Sequence, residues 1–448
     1  MEEPSRLSDL AVTPEITEQN PPECCNDAVY GGTSRGKVEC GQSHIFNACY
    51  WETYQDQCEI ALFLRCFSEG PGKWTGVLGS HQLYFSQNMV SLSRASPVIR
   101  YAACALGAKY LGRIKRPELK THKNMRNIFS ESQPDFIWYG AKYYNKALKL
   151  LAHQAPCDSH GITKVPLCSA SQTAMTGNSS DSHGTAANIY PAIAECILFQ
   201  YVDIGDVSRR RTRLDSKNLS LWRDLGGLPL NGQGDLLLDH ISEHEKAALL
   251  FKSLIRLLCQ LLNSNLSDAA QWVCIKSEFD RWYCIVPGWF SSPLVWACAP
   301  HECPDDDVRR PAALSATWFS SDTCALAMAF YYMGRMLLLI NQPTELFLEQ
   351  YGDQPDVLVT YKRLWKDLHQ HAIQTLSIAR GIPTDTVRKY LLQPLYLAGR
   401  CLLDTRDRLE LLGIFKQIGN DLGVATEYRQ RDLCEEWGYP LSMCLGQI

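Results

Sequence analysis

Four short stretches hold residue types at spacings that chemistry can use. His240-Ile-Ser-Glu-His244 matches the H-x-x-E-H pattern of inverted zinc peptidases. Two histidines four apart on one helix would aim both imidazoles at a common ion. The motif, however, runs straight into a long apolar helix, with Asp239 and Glu243 placed as first-turn acids. The strand-rich fold expected of such a peptidase is missing, so the pattern reads as a polar helix start. Cys298-Ala-Pro-His301-Glu-Cys303 offers three soft ligands, but a structural zinc site takes four, usually as two spaced pairs. Without a second pair it reads as a loop with incidental cysteines. Asp305-Asp306-Asp307 and Asn420-Asp421-Leu422 resemble the magnesium-diphosphate motifs of a class I terpene cyclase. The second of those motifs needs a hydroxyl and a carboxylate where this chain has Val424 and Tyr428.

The stretch "LFLRCFSEGPGKWTG", Leu62 to Gly76, carries a Gly-Lys pair that suggests a phosphate loop. That loop needs a glycine where Phe67 stands and a hydroxyl residue where Trp74 stands, and it follows a strand rather than a helix. Gly70, Pro71 and Gly72 read instead as a helix end and a chain turn, with Trp74 free to pack back on that helix. No G-x-G-x-x-G follows a strand, so the dinucleotide signature is missing. No catalytic, cofactor or metal residue is assigned. Arg209, Arg210, Arg211 and Arg213 form the densest basic run. Such a run serves nuclear import, contacts phosphate, or is simply a solvated loop.

The elements around these stretches are helical. Ile60, Phe63, Leu64 and Phe67 share one helix face. "PVIRYAACALGAKYLGRI" and "IWYGAKYYNKALKLLA" read as further helices, as do "YPAIAECILFQYVD" and "HEKAALLFKSLIRLLCQLLN". In the last of these, Leu250, Leu254, Leu257 and Leu261 recur at helical spacing. Leu411, Phe415, Ile418 and Leu422 make another stripe, closed by Gly423 as a C-cap. Alternating strand patterns are scarce, and the expected fold class is all-α. Residues 1–50, rich in Pro, Glu, Ser and Asn, read as a disordered segment ahead of a helical domain over 51–440. That domain is interrupted by a flexible Ser/Thr/Gly-rich insertion at 155–188, by a basic stretch at 205–218 and by a polar one at 298–311.

The totals set limits. A net charge of −4 over 448 residues gives no global basic field for nucleic acid. The N-terminus lacks the basic start and apolar run of a secretory signal. "CALAMAFYYMGRMLLLI", Cys324 to Ile340, is 17 residues long and carries Arg335, so it reads as a core helix rather than a membrane span. The expectation is an intracellular chain whose 19 cysteines are mostly small buried hydrophobes.

Longer blocks carry a resemblance. "CEIALFLRCFSEGPGKW" with "YFSQNMVSLSRASPVIRYAACALGAKYLGR" resembles the start of the fungal-specific regulatory domain of zinc-cluster transcription factors. "WFSSDTCALAMAFYYMGRMLLLINQP" and "LLQPLYLAGRCLLDTRDRLELLGIFKQIGNDLGVATEYRQRDLCEEWG" continue it in the same order, bracketing residues 52 to 438. The resemblance implies a nuclear, non-enzymatic regulator of a biosynthetic gene cluster, of the secondary-metabolite and trichothecene kind. Family members carry a six-cysteine zinc cluster with two C-x2-C pairs, and among these 19 cysteines there is no such pair. Either the chain regulates without its own zinc module, or an N-terminal part is missing from the sequence. The implied partners are other transcription factors or co-regulators, with DNA contact indirect and no membrane role. The long apolar helices also leave room for a homodimer face. The competing readings are an all-α, terpene-cyclase-like enzyme and an adaptor that never touches DNA.

Overall fold

A computed structural model describes residues 54–74, 84–115, 129, 134–154, 215–224, 227–239, 241–298, 314–349, 357–381 and 383–440. The expected disorder at 1–50, the insertion at 155–188 and the helix "YPAIAECILFQYVD" lie outside these residues.

The first helices pack into a small bundle. α1 (Tyr54–Glu69) crosses α4 (Pro97–Arg113), and α4 lies along α5 (Phe136–Gln154). Ser96 caps α4 by accepting from the Ile99 N–H, and Pro97 at the first turn gives up an N–H that would be unpaired anyway. Phe63 is fully buried among Phe129, Phe136, Tyr139 and Tyr143. The helices touch at backbone level: a Cβ on Gly107 would lie 2.2 Å from the Phe63 carbonyl oxygen, so only glycine fits that crossing. Glu59, 3% exposed, accepts from Tyr143 Oη at 2.9 Å and Lys142 Nζ at 2.8 Å. Its charge is thereby paired inside the bundle, as burial demands. α3 (Tyr84–Ala95) closes one side through Met89 and Leu92 against Phe67 and Ala103.

The glycine-proline corner forms a one-turn helix, α2 (Pro71–Trp74). Trp74 is buried, but it does not pack back on α1 as its sequence neighbourhood suggested. Its ring stands edge-on to Tyr110 of α4 at 5.6 Å, and its carbonyl accepts from Tyr390 Oη at 2.9 Å. The corner thus ties the first bundle to the second.

The second bundle surrounds α10 (Asp322–Ile340), the apolar run with the membrane-like length. Nearly every side chain from Thr323 to Gly334 on it is buried within the chain, so it is a core helix. α7 (Glu243–Asn263), α8 (Ala269–Ile285), α12 (Val357–Arg380) and α14 (Leu392–Cys401) pack around it. Indole N–H groups pin the layers, with Trp272 donating to the Leu338 carbonyl at 2.9 Å and Trp282 to that of Leu250 at 3.0 Å. Arg335, the charge inside the apolar run, pairs with Asp280 of α8. Short helices fill the turns: α6 (Leu219–Asp224), α9 (Gly288–Ser291), α11 (Thr344–Glu349) and α13 (Asp385–Tyr390). α15 (Thr405–Leu422) buries Leu411, Phe415, Ile418 and Leu422, and Gly423 ends it at φ +63°. α16 (Glu427–Trp437) completes the described chain.

The all-α reading holds, with one small addition. β1 (Leu294–Cys298) and β2 (Leu314–Trp318) form an antiparallel ribbon in which Trp296 faces Ala316. β2 lies on the end of α12: Thr317 Oγ1 donates to Ser377 Oγ at 3.1 Å, and a Cβ on Gly381 would overlap the Thr317 carbonyl.

Candidate interaction surfaces

The residues first picked out for chemistry are used structurally or lie outside the described chain. α7 starts at Glu243, capped by Ser242, whose oxygen accepts from the Glu245 N–H while Glu245 accepts from its hydroxyl. Position 240 is thus ahead of the helix start, and His240 and the side chain of His244 lie outside the described residues. The first-turn acids are Glu243 and Glu245, whereas Asp239 sits in the preceding turn, which corrects the sequence assignment. Asp421 accepts from Arg388 Nη2 at 2.7 Å, and the Asn420 carbonyl accepts from the Lys115 N–H at 2.9 Å. Both groups of that cyclase-like motif thus hold helices together. Cys298 ends β1. His301, Cys303, Asp305, Asp306 and Asp307 lie outside the described residues, as do Arg209, Arg210, Arg211 and Arg213.

Two ionic clusters that sequence reading missed lie in the second bundle. Arg380, its side chain 4% exposed, ends α12 and forks onto Glu410 at 2.8 Å and Asp407 at 2.6 Å of α15. Burial alone would lower its pKa, but the two carboxylates outweigh burial and raise it. Arg429 of α16 lies over the Tyr396 ring at 3.9 Å and donates to Gln393 Oε1 at 3.0 Å. The thiols of Cys324 and Cys401 are buried, and burial pushes their pKa up to about 11 and about 12. These are packing cysteines, with no nucleophile among them.

Two clefts open at the surface. One, of about 550 Å³, lies between the turn after α7, the turn after α10 and α14, with Arg400 at its edge held by Glu436 at 2.8 Å. The other, of about 520 Å³, follows the outer ridge of α12 through Leu358, Tyr361, Trp365 and His369 to Leu403, with Lys362 and Lys366 alongside. Apolar side chains are also exposed on the first bundle, Leu106 on α4 and Ile137, Trp138, Tyr144 and Leu148 on α5. Surfaces of this kind suit protein partners better than a reacting centre.

The chain is similar to the transcription activator AMTR1 of Alternaria alternata, at 23% identity over 86% of its length. It spans 64% of the length of that relative. No family model matches the chain, and no solved structure does either.

Proposed function

We propose that this chain is a transcriptional regulator that acts in the nucleus on a fungal secondary-metabolite gene cluster and is not an enzyme. The observation that carries the reading is the similarity to a transcription activator along most of an all-helical chain. The clusters above support it, since buried arginines pair with carboxylates or an aromatic ring and buried thiols are held protonated.

Contact of these 448 residues with DNA runs through a partner. Phosphate neutralisation needs clustered cations, and the net charge of −4 and the lack of a C-x2-C pair argue against a strong footprint. The partner would be another transcription factor or a co-regulator, taken on the apolar cleft along α12. A trichothecene-type cluster is the pathway that the resemblance favours.

The deciding experiment is a transcript profile of a strain lacking this gene against its parent. The expected result is collapse of a contiguous block of biosynthetic transcripts. Steady transcripts with one missing metabolite would overturn the regulator reading in favour of an enzyme. Tight, salt-sensitive binding of duplex DNA by the purified chain, lost on neutralising Arg209 to Arg213, would overturn the indirect-contact part alone.

A further inference from the structure

The cleft between the turn after α7, the turn after α10 and α14 carries a donor pair. Tyr396 and Arg400 are four apart on α14, so they stand side by side on one helix face, and both line the cleft. The Tyr396 phenol lies near enough to Arg400 to act on its charge. Each side chain is held from behind by α16. Glu436 takes Arg400 through Nε alone, with its two oxygens at 2.8 and 3.2 Å. Arg429, 4% exposed and bonded to Gln393, covers the Tyr396 ring at 3.9 Å. The two Nη groups of Arg400 and the Tyr396 hydroxyl are left without a partner among the described residues. A guanidinium taken at Nε still offers its far edge, two parallel N–H bonds that fit a carboxylate. Donors fixed before a ligand arrives lose little freedom when it binds.

The rest of the lining selects the ligand class. Leu337 and Ile340 of α10 and Leu266 after α7 form an apolar wall, on which Ile340 is 43% exposed. Ser267 and Thr344 add hydroxyls for a carbonyl or hydroxyl on the ligand. The volume, about 550 Å³, lies within the range of about 300–1,000 Å³ of small-molecule sites. Charge then limits the choice. Arg400 is the one cation among the described lining residues, Glu436 already matches it, and Glu345 adds a carboxylate to the lining. One carboxylate on the ligand uses both donors, whereas a second negative charge finds none and meets Glu345. Phosphate monoesters and dicarboxylates are therefore disfavoured.

We propose that this cleft binds a small monocarboxylic acid, its carboxylate on Arg400 and Tyr396 and its apolar body against Leu337 and Ile340. Binding ties α14 and α16 to the end of α10, because the groups that hold the donors sit on α16. The inference concerns binding alone and stands whether or not the chain regulates transcription.

The test is calorimetric titration of the purified full chain with octanoate, with octanol and octyl phosphate as comparisons. The expected result is saturable octanoate binding with a dissociation constant below about 1 mM, and weaker binding of both comparisons. R400Q should weaken octanoate binding about tenfold or more, and Y396F, which keeps the ring over Arg429, about threefold to tenfold. K362Q, beside the α12 cleft, should bind as the native chain does. Both α14 variants should fold, since Glu436 is 41% exposed and can turn to water. Hydrogen exchange of the native chain needs no variant, and octanoate should add protection at residues 337–345 and 396–400. No saturation by about 5 mM would overturn the proposal. So would full affinity in folded R400Q and Y396F, octanol or octyl phosphate binding as tightly as octanoate, or a loss confined to K362Q.

Discussion

Arg380→Met tests whether the second bundle depends on charge pairing where α12 meets α15. The guanidinium is 4% exposed, Asp407 10% and Glu410 31%, and all contacts are at 2.6 to 2.8 Å. Methionine keeps much of the stem volume but leaves Asp407 charged and buried without its cation. Breaking a buried pair by removing one partner costs about 3–5 kcal/mol, and the partial exposure of Glu410 places this case near the lower figure. The raised pKa of Arg380 keeps it charged at every working pH, so the loss should be the same from neutral pH to mildly alkaline pH. Urea unfolding followed by far-ultraviolet circular dichroism reads the effect as a lower midpoint. Adding Asp407→Leu and Glu410→Met should recover most of it, because an apolar trio of similar volume removes the orphaned charges. A single variant with a native midpoint would refute the reasoning. A triple variant as unstable as the single one would show that the arginine stem, not its charge, holds the helices.

Gly72→Ala brings a Cβ to 2.9 Å from the Phe67 carbonyl and 3.0 Å from its ring, and should cost about 1–3 kcal/mol in a thermal melt. Gly413→Ala, on an exposed stretch of α15 with nothing within 4 Å, should instead stabilise by about 0.5–1 kcal/mol. His371, stacked on Tyr332 and bonded to Gln374, has its pKa lowered by burial, which outweighs the upward pull of the Gln374 bond; Arg335 adds a smaller lowering and Asp367 a smaller rise. The unfolded chain therefore binds its proton first, so stability should fall as pH drops below about 6.5, and His371→Asn should flatten that part of the profile. Maleimide at pH 8 should label the exposed Cys274 and Cys284 within minutes and leave Cys401, its thiol pushed to about 12, untouched until the chain unfolds; mass spectrometry of digests reads both.

Local patterns were legible because a single helix contains their cause. Leu411, Phe415, Ile418 and Leu422 declare their buried side by spacing alone, and Gly423 declares the helix end by needing a left-handed φ. Arg335 in an apolar run pointed to a core helix, and Asp280 supplies the pairing that makes its burial affordable. What stayed hidden depends on residues far apart in the chain. Trp74 was visible as an anchor, but its true neighbours, Tyr110 and Tyr390, come from α4 and α13. The β ribbon was missed because "LVWAC" and "LSATW" do not alternate cleanly and the chain between them carries no tight-turn signal. Arg380 and Arg429 look in sequence like solvated charges on amphipathic helices, and only the packing of α15 against α12 and of α16 against α14 buries them. The α4 and α5 face is the sharpest case. A helix apolar on all sides should be buried on all sides, yet Gly107 lets α1 approach α4 at backbone distance on one side, while Leu106, its neighbour in sequence, is left in solvent. Which apolar face a bundle leaves open is decided by where its helices cross.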